Sequence, residues 1–244
     1  DPVAATSSDA PLLHEAVGSN VVVDRHYRYG EPERAFENAA HRVSVTVHYP
    51  RNSCTPIECF VVLAEYRDAD GSYEVHSNFQ GPFGLHSVMA RALNVPGSKL
   101  RLRMPPDSGG SFGIKQAVFP YVVIMSLAAR KAGAPVKWVE DRLEHLVAAS
   151  SATNRVTTLE AAVDPDGRVR ALRYDQIDDC GAYLRAPEPA TTYRMHGTLT
   201  GAYDIPNLLV RNRIVLTNKT PSGLNRGFGG PQVYFPLERL MQRI

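Results

Sequence analysis

The chain has 244 residues, 43% hydrophobic and 21% charged, with 27 basic against 25 acidic side chains. That length carries one large domain or two small ones around a substantial core, and the ordinary balance excludes a disordered or collagen-like chain. A formal charge of +2 gives no electrostatic reason for a nucleic-acid or anionic-membrane partner, and no apolar run approaches the roughly 20 residues of a membrane helix.

Residues 1–12 are mostly small or polar, include Pro2 and Pro11, and read as a linker. Arg42 to Tyr49 alternates, Val43, Val45 and Val47 against Ser44, Thr46 and His48, as a half-buried strand does. Strands at 59–66 and 72–77 follow, joined by the turn sequence Asp68-Ala69-Asp70-Gly71. From Pro82 to Asn94, Leu85, Val88, Met89, Ala92 and Leu93 recur at helical spacing. Residues 99–104 read as a strand whose wet face carries Lys99, Arg101 and Arg103, and 117–132 as an apolar helix ending near Gly133.

A short strand at 136–139 precedes a helix at 141–149, with Leu143 and Leu146 on its apolar side. Residues 155–163 and 168–176 form a hairpin about Asp164-Pro165-Asp166-Gly167, and 208–216 is a further strand. In the last segment Val233, Phe235, Leu237, Leu240, Met241 and Ile244 make a rough helical stripe, which Pro236 either kinks or starts. The stripe meets no stop signal, so it is expected to pack on something outside the chain. Strands and helices mix without a regular βαβ period, so the fold class is α+β, mixed sheets with packed helices.

Cys54, Cys59 and Cys180 cannot build a disulfide framework, and no C-x-x-C pair offers an iron–sulfur or zinc-ribbon site. A reducing, cytoplasmic location fits, with Cys54 and Cys59 as small core residues. The eight histidines are scattered without close ligand spacing, so no histidine metal site is expected.

Three strand–loop–helix elements carry the chemistry. Ser108-Gly109-Gly110-Ser111-Phe112-Gly113-Ile114-Lys115 lies between the strand at 99–104 and the helix from 117. Glycines permit positive φ and turn successive N–H groups to one side, and the helix that follows adds its positive dipole end, so this loop suits an anion. It is not a Walker A loop, because Lys115 does not directly follow the last glycine and no Ser or Thr comes after it. Asn225-Arg226-Gly227-Phe228-Gly229-Gly230-Pro231-Gln232 repeats the plan, with Pro231 suited to a first helical position and Arg226 offering a fixed fork to an oxyanion. The third element, His76 to Pro82, sets the amide of Gln80 at the head of a helix. Each alone is commonly a structural turn. Two glycine turns that each carry a phenylalanine, Phe112 and Phe228, are less ordinary: the rings either offer a flat ligand a stacking surface or fold back onto the core.

These residues resemble the molybdenum hydroxylases, in the molybdopterin-binding subunit of the xanthine dehydrogenase and aldehyde oxidase family. Gly109 to Lys115 looks like the family's GGxFGxK loop, and Arg226 to Gln232 like its RGFGxPQ loop. The resemblance covers residues 13–244 and implies the first molybdopterin-binding lobe of such a subunit, incomplete without a second lobe on another chain. It implies a molybdopterin-type molybdenum cofactor held by Gln80, Gly110, Phe112, Gly113 and Arg226, with the Gln80 amide bonded to an oxo or hydroxo ligand and no side chain of this chain on the metal. It implies substrate contacts from Phe228, from Arg194 upstream of Ile205-Pro206-Asn207, and from Gln116.

Gln116 departs from the family pattern. Xanthine-type enzymes carry glutamate there, and an amide offers a purine no carboxylate. The second-loop cysteine of carbon monoxide dehydrogenases is also absent, since Leu224, Asn225 and Arg226 stand there. The family's general-base glutamate has no match, so no catalytic residue is assigned; Glu238 reads as a helix-surface charge. The implied enzyme hydroxylates an N-heteroaromatic or oxidises an aldehyde, takes its oxygen from water, and passes electrons to 2Fe–2S and FAD partner subunits. This chain alone is expected to be inactive. The alternative is a non-catalytic lobe or binding module that keeps the fold and holds no cofactor.

Overall fold

A computed structural model describes residues 1–244, apart from the side chain of Thr191. Its elements run β1 (Val21–Tyr29), α1 (Pro32–Glu37), β2 (His41–Tyr49), β3 (Val61–Arg67), β4 (Ser72–Ser77), α2 (Pro82–Ala92), β5 (Leu100–Arg103), α3 (Phe119–Ala132), β6 (Val136–Val139), α4 (Arg142–Ala148), β7 (Asn154–Val163), β8 (Val169–Asp179), α5 (Ala190–Tyr193), β9 (Asn207–Val215) and α6 (Gly230–Met241). The α+β class expected from the sequence holds. The chain divides into two compact units: residues 1–52, 152–223 and 227–244 form the first, and 53–151 with 224–226 the second.

In the first unit a five-stranded sheet runs β1-β9-β8-β7-β2. β7 and β8 make the hairpin expected about Asp164–Gly167. β8 and β9 are parallel, so the chain crosses over between them, and the crossover carries residues 180–206. Side chains alternate across a strand, and both faces here are covered. Leu159, Ala161 and Tyr174 pack with Val233, Leu237 and Leu240 of α6, while Ala162 and Ala171 meet Phe36 of α1 on the opposite face.

The strand β1 had no legible pattern, because this edge strand exposes three consecutive residues, Asp24 to His26. α6 begins at Gly230 rather than at Pro236, and Val233, Leu237, Leu240 and Met241 of its stripe pack on the sheet of its own unit, while Phe235 and Ile244 stay exposed. Residues 1–12, read as a linker, contain a 3-10 turn at Ala4–Thr6, and Ala5 packs beside Val156, Ile177 and Val215.

In the second unit a four-stranded sheet runs β5-β4-β3-β6, with β4 and β5 parallel. α3 lies across β3 and β6, and α2 packs on α3. The helix expected from residue 117 opens as a 3-10 turn, Ile114–Val118, and becomes α-helical at Phe119, because Pro120 has no N–H and belongs in a first helical turn.

α4 overturns its expected polarity. Leu143 is 74% exposed and Leu146 57%, while the buried residue is His145. A capping box between Asp141 and Glu144 fixes the helix start, and a bond from His145 to Glu140 orients it in place of an apolar stripe. Cys54 and Cys59 are half-buried rather than core. Among the described residues no helix is long and apolar enough to cross a membrane.

Candidate functional site

Parallel strands release their chains at the same end of a sheet. Gln80 follows β4 and the first glycine loop follows β5, so both leave one end of the second unit's sheet. The Gln80 Oε1 atom accepts the Gly113 N–H at 3.0 Å and the Ser111 hydroxyl. With its oxygen taken, the amide is left as a donor, and Nε2 has no partner among the described residues.

The loop backbone holds φ of 92° at Gly110, 55° at Phe112 and 109° at Gly113. These left-handed positions turn the amides outward, and the N–H groups of Gly110, Ser111 and Phe112 donate to nothing among the described residues. Three adjacent unpaired N–H groups form an anion cradle. The Phe112 ring is 47% exposed, so it does not fold into the core.

One carboxylate closes both ends of this loop. Glu58 Oε2 accepts the Gly109 N–H at 3.1 Å, the Ser108 hydroxyl at 3.2 Å and the ammonium of the fully buried Lys115. Burial pushes the Glu58 carboxyl up, but the bonds from Lys115, Asn78 and Gly109 outweigh it and hold it down at about 2. Lys115 is therefore committed to holding the loop and is not a free cation for a ligand.

Residues 224–226 strap onto this loop in the second unit. The Arg226 N–H donates to Phe112 O at 2.8 Å, and the Cys54 thiol donates to Asn225 Oδ1 at 2.8 Å and to Phe112 O at 3.4 Å. Burial pushes the Cys54 thiol up, which keeps it a protonated donor. The Arg226 guanidinium is exposed and has no partner among the described residues.

Gly113 is where loop and strap touch: an added Cβ would lie 2.9 Å from the Leu224 Cβ and 3.0 Å from its carbonyl carbon. Gly113→Ala therefore combines a disfavoured φ with a backbone collision. It is expected to cost about 1–3 kcal/mol in urea unfolding and to open the strap, and a loss under about 0.5 kcal/mol would contradict this account.

In the first unit, the Arg194 guanidinium lies over the Phe228 ring at 4.9 Å. Phe228 sits in a turn closed by Gly230 N–H to Gly227 O at 2.8 Å, and the N–H groups of Gly227, Phe228 and Gly229 donate to nothing among the described residues. The segment bearing Arg194 is anchored on both sides. Arg155 donates to Thr192 O at 3.0 Å, and the His196 ring bonds Gln176 Oε1 at 3.2 Å. Burial, then the charges of Arg155 and Arg25, push His196 down to about 4, so it stays neutral at physiological pH. Beneath them Arg155 holds Asp178 bidentately, at 2.7 and 3.0 Å.

The expected cofactor residues Gln80, Gly110, Phe112, Gly113 and Arg226 thus converge within the second unit, the last through its backbone. Gln116 follows on the 3-10 turn, its Oε1 buried without a partner among the described residues. Arg194 and Phe228 meet in the first unit. Sequence reasoning missed Glu58, Ser111, Cys54 and Asn225 as loop-holding residues. For Glu58 and Cys54 no local signal exists, since each acts on a loop some fifty residues or more away along the chain.

A family model described as a molybdopterin cofactor-binding domain matches residues 13–244. The 6-hydroxypseudooxynicotine dehydrogenase complex subunit gamma of Paenarthrobacter nicotinovorans is 34% identical over 218 residues, covering 87% of this chain and 26% of the relative. The nicotine 6-hydroxylase large subunit of the same organism is 34% identical over 222 residues, covering 90% of this chain and 27% of the relative. The crystal structure of quinoline 2-oxidoreductase from Pseudomonas putida 86 superposes with a TM-score of 0.91 at 28% identity, over 99% of this chain and 31% of that one. The chain spans about a quarter of the length of these two curated relatives.

Proposed function

The chain belongs to the molybdopterin cofactor-binding family of the molybdenum hydroxylases, and on that premise we propose that it supplies one part of the active site of such an enzyme, which hydroxylates an N-heteroaromatic ring or oxidises an aldehyde. The names of the two nicotine-related relatives and of the quinoline enzyme favour the heteroaromatic ring. When bound, the cofactor supplies two-electron redox chemistry at molybdenum, with water as the source of oxygen. The electrons leave through 2Fe–2S and FAD partner subunits, and the general base comes from the remaining part of the molybdenum subunit. Three free cysteines suit a reducing, cytoplasmic setting.

The residues fit the group. The cofactor is anionic, and the first loop presents the unpaired N–H groups of Gly110, Ser111 and Phe112 beside a Gln80 amide locked as a donor. That convergence carries the proposal. Gln80 orients the metal end of the cofactor through Nε2, Arg226 binds an anionic oxygen, and Phe228 with Arg194 offers a flat substrate an aromatic face edged by a cation. The buried, unpartnered Gln116 Oε1 accepts a donor on the substrate. A neutral amide cannot form an ion pair, so Gln116 discriminates by hydrogen bonding alone.

The test is molybdenum and pterin analysis of the protein purified with its partner chains, followed by dye-linked oxidation of heteroaromatic substrates. Near-equal molybdenum and pterin are expected. Arg226→Met is expected to lose about 2 kcal/mol of cofactor binding, some thirtyfold in retention during dialysis. A folded, complete assembly that holds neither molybdenum nor pterin would sink the proposal.

A further inference from the structure

We propose that Cys59, Glu140 and His145 form a binding site for one divalent cation of the zinc class. Cys59 lies far from Glu140 and His145 along the chain and meets them only through strand pairing, while the cap of α4 turns His145 back onto Glu140, five residues before it.

β3 and β6 pair antiparallel with Val61 opposite Val139, so the residues just before β3 and just after β6 share one end of the ladder. There the Glu140 N–H donates to Phe60 O at 2.9 Å, and Glu140 Oε2 accepts the Phe60 N–H at 3.0 Å. The capping box sets the start of α4, so that His145 comes round within 2.7 Å of Glu140, Nδ1 to Oε2. One ligand atom from each of Cys59, Glu140 and His145 lies within 4.8 Å of the others.

A second observation points to a missing ligand. Glu140 is 3% exposed, yet its Oε1 has no partner among the described residues. No lysine or arginine pairs with Glu140 among the described residues; its one ion-pair partner is His145. Leaving buried polar atoms unpaired is costly, and a buried carboxylate calls for a cation.

The donor set selects the cation. Sulfur, imidazole nitrogen and a single carboxylate are zinc ligands, whereas calcium and magnesium take oxygen alone. On binding, the Cys59 thiol gives its proton to solvent, the neutral His145 ring carries its proton on Nε2 so that Nδ1 can ligate, and thiolate plus carboxylate balance the double positive charge. Two ligands at about 2.0–2.1 Å in a tetrahedron stand about 3.3 Å apart, so the Glu140–His145 hydrogen bond opens by a side-chain shift. Cys59 is half-buried and gives the ion its way in, and a water completes the four positions.

The test strips the purified protein with chelator and restores zinc, or cobalt as a spectroscopic probe. One zinc per chain and a thiolate-to-cobalt charge-transfer band in the near ultraviolet are expected. Cys59→Ser should keep the fold by circular dichroism, lose the band, and weaken zinc binding by more than about tenfold. His145→Gln should do the same, and if it unfolds, Cys59→Ser decides. Substoichiometric zinc in a folded wild-type chain, or zinc binding unchanged in Cys59→Ser, overturns the proposal. Neither readout requires bound molybdenum, so it stands or falls apart from the hydroxylase assignment.

Discussion

Asp178→Ala is expected to cost the protein about 3–5 kcal/mol. Asp178 is fully buried and Arg155 is 1% exposed, on adjacent strands of the sheet core. Deleting the carboxylate leaves an arginine that cannot shed its charge, with the Thr192 carbonyl as its remaining acceptor. The Asn212 amide, which donates to Asp178 at 2.6 Å, loses its acceptor as well. Urea unfolding followed by circular dichroism measures the loss, and a value under about 1 kcal/mol would refute this account. The double variant Arg155→Met/Asp178→Leu should recover most of it, because the cost arises from the stranded charge rather than from the absence of attraction. The same change should loosen Arg194, two residues beyond Thr192 along the chain.

Glu58→Gln is expected to cost about 3 kcal/mol. It lies at the lower end of that range because the Glu58 side chain is 34% exposed and water screens part of the loss, while its partner Lys115 is fully buried. The effect is local to the cofactor loop, since Gly109, Ser108 and Lys115 all close on that carboxylate. Molybdenum retention should therefore fall together with stability.

The pH dependence has a definite sign. The folded carboxyl is held down at about 2 against an ordinary 4.5, so its contribution is complete above about pH 4.5 and is lost as the pH falls toward 2. Wild-type stability should decline over that window more steeply than that of Glu58→Gln. Parallel profiles for the two proteins would show that Glu58 carries no linkage.

Much of the site was legible because glycine loops announce themselves. The spacing of Gly109, Gly110 and Gly113 about Phe112 demands positive φ, and a run of turned amides follows from the backbone alone. The hairpin at Asp164–Gly167 was legible for the same reason. α4 was not, because its seven residues are oriented by one polar bond from His145 to Glu140 and by a cap, while its leucines face out. β1 failed differently: an edge strand with three exposed residues in a row has no alternation to detect.

Local chemistry thus determined the α+β class, the two glycine loops, the amide at the head of α2 and the resemblance built on them, since each depends on residues adjacent in sequence. Only the tertiary structure decided what those loops rest on. The Glu58–Lys115 clamp, the Cys54 and Asn225 strap, the Arg155–Asp178 pair under Arg194, and the meeting of Cys59, Glu140 and His145 all join residues from different segments. No periodicity records such contacts, because strand pairing and crossover connections bring distant residues together without leaving a mark on the sequence between them.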